Sequence, residues 1–327
     1  MLLDLDRAAA TGAPAADPAF RRDVLAGLTA PRKAIPARWL YDHAGSELFE
    51  AITDLPEYYP TRTEIGILKA HCAEVGAIVG EGRAVVEFGS GSSAKTPLLL
   101  GCIAPAAYVP IDISGDFLRE SAARLGADVP GLAIHPVETD FMGPVALPAA
   151  VTGMGKLGFF PGSTIGNMGP SAAIDLLRSM VLTLGEGAWL LIGMDRVKDP
   201  AILVPAYDDA QGVTGAFNVN LLHRINRELA GTLPVEDFRH RAIWNDGLAR
   251  IEMHLEATRA IEASVAGRPV SFAAGETIHT ENSHKYDPRG SRLLLAAGGW
   301  TAVREWTDDE GLFSLILAQA RAEPAAP

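Results

Sequence analysis

Val85-Val86-Glu87-Phe88-Gly89-Ser90-Gly91-Ser92-Ser93-Ala94-Lys95-Thr96 is the stretch on which the fold turns. An apolar, β-branched run breaks at two glycines, which predicts a strand, a tight loop and then a helix. Glycines at such a loop let the backbone pass close to a ligand with no Cβ in the way. Three ligand classes use this turn. Gly89-x-Gly91-x-x-Ala94 satisfies the loose dinucleotide fingerprint, and alone it is a weak signal. Read as Gly89-x4-Ala94-Lys95-Thr96, it nearly makes a phosphate loop. Ala94 then stands where the glycine before the lysine belongs, and its Cβ crowds the phosphate cradle. With Glu87 ahead of the first glycine, it is also the acid-x-Gly-x-Gly turn that holds S-adenosylmethionine (SAM).

Outward from that loop the same texture recurs. AYVPIDIS (107–114), KLGFFPGSTIG (156–166) and AWLLIGMD (188–195) read as further strands. LRESAARLGA (118–127) and AAIDLLRSMVLTL (172–184) read as the helices between them. Strands alternating with helices predict a parallel sheet with crossover helices, and their near-continuous hydrophobicity fits a sheet covered on both faces. GWTAVREWTDDEG and LFSLILAQA close the chain as two strands around an Asp-Asp-Glu-Gly turn. Asp112 ends the second strand 23 residues after Gly89, where a carboxylate can accept from both ribose hydroxyls. That fits NAD or SAM and not a phosphate loop. The terminal hairpin favours SAM by fold analogy. Asp140-Phe141 offer an acceptor for the adenine amino group and an aromatic wall, although Asp140 could equally just cap a turn.

Residues 197–285 break the rhythm, with a helix through AFNVNLLHRINREL (216–229), then strands with polar alternation in IEMHLEATRAIEASV (251–265) and VSFAAGETIHTE (270–281). At the other end, residues 1–20 are rich in Ala, Pro and Asp and are expected to form a loosely held arm. A short helix is predicted from Phe20 to Leu28 and another from Glu64 to Val79. Between them WLYDHAGSELFEAITDLPEYYPTRTE (39–64) is dense in aromatics, for which core filling is the plain reading.

With 327 residues, 48% hydrophobic and 21% charged, the chain is long enough for a full core and is not disordered. Its net charge of −12 argues against nucleic-acid or anionic-membrane partners, both of which reward basic surface. The two cysteines, Cys72 and Cys102, form no CxxC pair, so a disulfide scaffold or zinc module is excluded and a reducing compartment is expected. The first twenty residues lack a basic start and apolar run, and no stretch approaches a membrane span. A cytoplasmic protein is expected, with a monomer as the working oligomeric state.

Several strings together resemble the histidine Nα-methyltransferases of ergothioneine biosynthesis: WLYDHAGSELFEAITDLPEYYPTRTE, EFGSGSSAKT, GSTIGN, AYDDAQGVTGAFN, RIEMHL and TENSHKY. They run from about residue 20 to the C-terminus, and LPEYYPTRTE and GSTIGN are far more specific than a glycine loop. The resemblance implies an α/β fold: a Rossmann-like SAM-dependent methyltransferase sheet with a terminal antiparallel hairpin, plus a second α+β substrate domain. It implies a discontinuous substrate-binding domain (1–61 and 197–286) and a SAM-binding domain (62–196 and 287–327). It implies L-histidine as substrate, hercynine as product and SAM as methyl donor. Gly89, Lys95, Asp112, Asp140, Phe141 and Gly162 fall where the family holds SAM. Tyr58 and Asn167 match the catalytic positions facing the substrate α-amine, and Tyr207 one that binds the carboxylate. Glu281 and Ser283 match the pair that hydrogen-bonds the imidazole, while Tyr41, Phe49 and Met253 match pocket-lining residues. Asn282 and His284 depart from the apolar or small residues expected there. As strand neighbours of Ser283 they are expected to point away.

Neutral groups such as Asn167 and Tyr58 can orient an amine through successive methylations without trapping it as an ammonium. Aromatic faces tolerate a growing cation, by up to ~2 kcal/mol when desolvated. His279-x-Glu281-x-x-His284 has a superficial zinc look. Its i, i+5 histidines miss the shared helix face of the HExxH pattern, so no metal is expected.

Overall fold

The computed structural model describes residues 17–91 and 95–321. Most of the arm expected over residues 1–20, and Ser92, Ser93 and Ala94 of the glycine loop, lie outside the described residues.

The chain opens with helix α1 (Pro18–Thr29), capped by Asp17, whose carboxylate accepts from Ala19 N at 2.7 Å. Helix α2 (His43–Thr53) starts at Asp42, which accepts from Gly45 N at 2.8 Å. Helix α3 (Tyr59–Val79) begins five residues ahead of the expected Glu64. Pro60 sits in its first turn, where the fixed φ suits a helix and the missing N–H has no partner to lose.

The central sheet follows. Strands β1 (Ala84–Phe88), β2 (Ala107–Asp112), the short β3 (Ala133–Ile134) and β4 (Val137–Glu138), β5 (Lys156–Phe160) and β6 (Trp189–Asp195) are mutually parallel where they pair. Helices α4 (Thr96–Ile103), α5 (Gly115–Asp128) and α6 (Pro170–Leu184) make the crossovers. Strands β12 (Trp300–Thr307) and β13 (Phe313–Ala320) add the terminal hairpin, antiparallel to β6, giving the order β12-β13-β6-β5-β1-β2-β3 with β4 also on β2. Its turn is tied by Asp308, which accepts from Phe313 N at 2.8 Å. All five residues of β1 are buried, as a strand covered on both faces requires.

The inserted region carries α7 (Pro200–Leu203), α8 (Val213–Glu228), the ribbon β9 (Ile261–Val265) with β10 (Arg268–Phe272), and an antiparallel sheet. That sheet is β7 (Phe238–Asn245), β8 (Arg250–Ala257) and β11 (Thr277–His284), with β8 in the middle. Helix α9 (Pro288–Ala297) returns the chain to the hairpin. Buried side chains separate accordingly. One cluster joins Phe20, Leu40 and Tyr58 to Phe217, Met253 and Ile278. Two others cover the faces of the central sheet, one around Phe88, Phe160 and Trp300 and one around Leu68, Tyr108 and Phe313.

Cys72 and Cys102 are joined in a disulfide, with Cα atoms 5.8 Å apart. The expectation from sequence, that two cysteines far apart and without a CxxC spacing exclude a disulfide scaffold, is corrected here. It missed that α3 and α4 pack side by side, where Gly76 leaves room for the Cys102 carbonyl, 2.6 Å from where a Cβ would sit. Among the described residues no helix is long and apolar enough to cross a membrane.

Candidate active site

A cavity of about 570 Å³ lies where the first cluster meets the open ends of β1, β2 and β5. That is an ordinary size for a small-molecule site, in the crevice beyond the carboxyl ends of parallel strands. Tyr41, Phe49, Tyr58, Gly89, Asp112, Asp140, Phe141, Gly162, Asn167, Tyr207, Met253, Glu281 and Ser283 all line it. Thus thirteen of the fourteen site residues expected from the sequence line one cavity.

Lys95 is the exception. Its ammonium pairs with Glu64 at 2.5 Å, and Glu64, fully buried, also accepts from Gly162 N at 2.8 Å. Lys95 therefore braces the Gly162 turn from behind. Gly162 has φ +78, a left-handed conformation that favours glycine. Glu64 fits because Gly193 has no Cβ; one there would lie 2.1 Å from Glu64 Oε1.

At the glycine turn, Gly89 has φ +73 and its N–H donates to Ile111 O at 2.8 Å, locking the turn against β2. Asp112 holds the other side, its carboxylate accepting from Gly91 N at 3.2 Å and Ser114 N at 2.8 Å. Glu87, read from sequence as the acid of the turn, is buried beneath it. It accepts from Thr96 Oγ1 at 2.7 Å and Tyr108 OH at 2.6 Å, and burial pushes its carboxyl up to about 7. Its work is to tie the start of α4 to β2. Asp140 accepts from Met142 N at 2.9 Å, the turn-capping alternative, and also takes the Arg38 guanidinium at 3.3 Å. Phe141 stands edge-on to Phe88 and Phe160.

The other wall is aromatic and polar. Tyr41 meets Phe49 at 5.5 Å and Phe217 at 5.4 Å between ring centroids, and Tyr58 meets Tyr207 at 6.1 Å. Phe217 was not singled out from the sequence, although it lies in the AYDDAQGVTGAFN string. Core filling is right for Trp39 and Tyr59, which are 5% and 2% exposed and off the cavity wall. It is incomplete for Tyr41, Phe49 and Tyr58. Burial pushes the Tyr41, Tyr58 and Tyr207 hydroxyls well above the ordinary range, so all three are neutral O–H groups at physiological pH. Tyr207 is placed by the turn into α8, where Asp209 accepts from Val213 N and Thr214 N at 3.0 and 2.8 Å.

Strand β11 alternates as expected: Glu281 and Ser283 face the cavity, while Asn282 and His284 do not line it. His284 Nδ1 instead meets Gly166 O at 2.8 Å, pinning the GSTIGN loop and with it Asn167. Glu281 Oε2 is buried with no hydrogen-bond partner, and burial pushes the carboxyl up to about 7 despite the Lys285 ammonium nearby. A buried carboxylate oxygen left unsatisfied is costly, and it marks a place where a donor is missing.

Behind this wall lies a network the sequence did not suggest. Asp195, at the end of β6, takes Tyr59 OH at 2.7 Å, Lys198 Nζ at 2.6 Å and Lys285 Nζ at 2.7 Å. Burial opposes its ionisation, yet the two ammoniums hold its carboxyl below the usual range.

The zinc-like string does not converge, since Glu281 faces the cavity and His284 faces Gly166. Glu252, His254 and His279 do bring potential ligand atoms within 4.8 Å of one another on the far face of the β7-β8-β11 sheet. Glu252 is already committed: Arg250 and Asn245 donate to its Oε1 at 2.7 and 2.9 Å and, against burial, help hold its carboxyl down to about 2.

Comparison with known proteins bears on this cavity. The family model described as histidine-specific, SAM-dependent methyltransferase matches residues 20–320. This chain belongs to that family. Among its curated relatives is a histidine N-alpha-methyltransferase of Mycolicibacterium smegmatis, 44% identical over 94% of this chain and 96% of the relative. Another, of Mycobacterium tuberculosis, is 42% identical over 92% and 94%. Ergothioneine biosynthesis protein 1 of Neurospora crassa is 31% identical over 89% of this chain but only 34% of its own length. A solved SAM-dependent methyltransferase from Clostridium acetobutylicum aligns with TM-score 0.46 at 10% identity, covering 86% of this chain and 97% of that one.

As a histidine-specific methyltransferase, the chain is a SAM-dependent enzyme with a Rossmann-like sheet ending in an antiparallel hairpin. The residues present fit the donor. Gly89 carries no Cβ at the turn, and one placed there would already touch Phe141 at 3.5 Å. Asp112 keeps a carboxylate at the cavity wall. Asp112→Ala is expected to weaken SAM binding ~10- to 100-fold by equilibrium dialysis, since it removes charged hydrogen bonds worth ~1.5–3 kcal/mol. Retained SAM affinity would show that this carboxylate does not meet the ribose.

Proposed function

We propose that the chain transfers three methyl groups in succession to the α-amine of L-histidine, giving hercynine, a step of ergothioneine biosynthesis. The observation that carries this reading is the orphaned Glu281 Oε2 beside Ser283, in the same cavity as the glycine turn. An imidazole N–H is the donor that this oxygen lacks. Relatives of the chain carry the matching names, and the strings that carry the family resemblance include Tyr41, Phe49, Tyr58, Asn167, Tyr207, Met253, Glu281 and Ser283.

We assign Tyr58 and Asn167 to the α-amine, Tyr207 to the carboxylate, and Glu281 with Ser283 to the ring, with Tyr41, Phe49 and Met253 closing the pocket. Gly89, Asp112, Asp140, Phe141 and Gly162 are assigned to the donor, with Lys95 acting through Glu64. The donor supplies an electrophilic methyl carbon on a sulfonium, and this chemistry needs no metal. What the protein adds is alignment of the amine lone pair in a dry pocket. Tyr58 and Asn167 are neutral, so they hold the amine without favouring its protonated form. Each round ends in an ammonium that sheds a proton before the next, and the third leaves no N–H to donate. Aromatic faces around Tyr41 and Phe49 then hold the quaternary cation.

The separate cores support a division into a substrate domain (1–61, 197–286) and a SAM domain (62–196, 287–327). We take a monomer as the working unit. We place the enzyme in the cytoplasm, beside the amino acid it consumes. The Cys72–Cys102 bond weighs against that placement, because reducing compartments keep most such pairs as thiols. Thiol counting on freshly lysed cells decides it.

The test is incubation with SAM and each amino acid in turn, followed by mass analysis. Histidine is expected to gain one, two and then three methyl groups. Methylation of another amino acid in its place would overturn the assignment.

A further inference from the structure

Lys285 lies one residue beyond β11, fully buried, and no part of the proposed reaction yet uses it. Its ammonium has three hydrogens, and each is spent: on Asp195 Oδ2 at 2.7 Å, Tyr207 OH at 2.8 Å and Ser283 Oγ at 2.7 Å. Those two hydroxyl oxygens stand 2.7 Å apart, so one of their two hydrogens lies between them. One hydroxyl hydrogen remains for a ligand.

We propose that Lys285 is a positioning residue that orders the Tyr207–Ser283 hydroxyl pair and thereby makes the site take an imidazole ring together with a second ring proton. The inference rests on the assignment of Tyr207 to the substrate carboxylate and of Glu281 and Ser283 to the ring. A carboxylate only accepts, so the spare hydrogen is that of Tyr207. Ser283 then donates to Tyr207, accepts from Lys285, and has one lone pair left. Toward the ring it can only accept. Glu281 as a carboxylate also only accepts. Two acceptors require an N–H on both ring nitrogens, or the equivalent state with one of those protons on Glu281. Either way, the Glu281–ring pair holds one proton more than a carboxylate with a neutral imidazole.

The surrounding charges agree. Groups facing this corner are Tyr41, Tyr58 and Tyr207 from the cavity wall, Glu281 and Lys285 from the β11 segment, and Asp195, Lys198 and Tyr59 behind it. Burial keeps all four tyrosines neutral. Asp195 and Glu281 balance Lys198 and Lys285, so the corner itself is neutral when all four are charged. A ligand with a charged ring, a carboxylate and an uncharged amine adds no net charge to it. Burial has already pushed Glu281 up to about 7, so the extra proton is held easily near neutrality.

The experiment is calorimetric titration at pH 8 with imidazole-4-propionate, which lacks the α-amine, so that the ring is the ligand's only titrating group in that range. S-adenosylhomocysteine is present throughout, and buffers of different ionisation enthalpy report the protons exchanged. About one proton is expected to be taken up per ligand bound, since both the free ring and Glu281 have largely lost theirs at that pH. Lys285→Met frees Ser283 to donate to a neutral ring. Uptake should fall toward zero, with S-adenosylhomocysteine affinity unchanged and Asp195 still paired to Lys198 and Tyr59. If that variant fails to fold, Tyr207→Phe releases the same Ser283 hydrogen and should also abolish uptake. No uptake by the native enzyme, no binding of the probe to the native enzyme, or undiminished uptake in a variant that still binds the probe would overturn the proposal. Mass-detected histidine methylation is scored separately: its failure removes the assigned reaction, whereas its success with no proton uptake removes only the role of Lys285.

Discussion

Glu281→Ala is expected to raise the KM for histidine ~100-fold while leaving SAM affinity unchanged. A charged hydrogen bond to the ring is worth ~1.5–3 kcal/mol, and a tenfold change corresponds to ~1.4 kcal/mol. Glu281 is 8% exposed, so truncation leaves a small dry gap where water cannot replace the lost acceptor without strain. The donor side is built from the segments that follow β1, β2, β4 and β5, whereas Glu281 stands on β11. Methylation of ring-free amino acids should suffer much less, because the buried carboxylate that rejects them is gone. Steady-state kinetics against histidine, with dialysis for SAM, checks both halves. Unchanged histidine kinetics would remove Glu281 from the site.

Gly166→Ala is expected to slow turnover strongly and to lower stability. A Cβ there would lie 2.8 Å from His284 O and 3.2 Å from His284 N. Both are backbone atoms of β11 and cannot swing aside as a side-chain tip could. Gly166 also anchors His284 through its carbonyl. The methyl group would therefore push apart the loop that carries Asn167 and the strand that carries Glu281 and Ser283. Overpacking of this kind costs ~1–3 kcal/mol of stability, and a 1 Å misplacement of reacting groups can cost ~100-fold in rate. The variant should melt lower and turn over far more slowly while still binding SAM. Gly101→Ala is the control. It is exposed on the outer side of α4 with nothing within 4 Å, so it should be neutral or slightly stabilising.

What could be read in the chain beforehand divides along a physical line. Features fixed by local pattern were legible. The glycine turn, the alternation of strands and helices, the terminal hairpin and the in-out alternation of Glu281, Asn282 and Ser283 all depend on neighbours in sequence. Features fixed by contacts between distant segments were not. Glu64 reads as a surface helix position until Gly162 and Lys95 meet it. Asp195 reads as a strand end until Tyr59, Lys198 and Lys285 surround it. Lys285 carries no signal in its neighbours, and only the meeting of Asp195, Tyr207 and Ser283 around its ammonium shows its place. Glu87 marks the glycine turn in the sequence, but the partners that claim it, Thr96 and Tyr108, lie on α4 and β2 and are not legible from its neighbours. Cys72 and Cys102 were separated by 30 residues and joined by helix packing. The family strings supplied what pattern could not, because they carry long-range contacts already selected together.

The most direct test is a crystal structure of the enzyme with S-adenosylhomocysteine and L-histidine bound together. It should show the imidazole between Glu281 and Ser283, the α-amine on Tyr58 and Asn167, and the amine nitrogen aimed at the sulfur that carried the methyl group. A histidine ring bound anywhere else, or an amine turned away from that sulfur, would contradict the account.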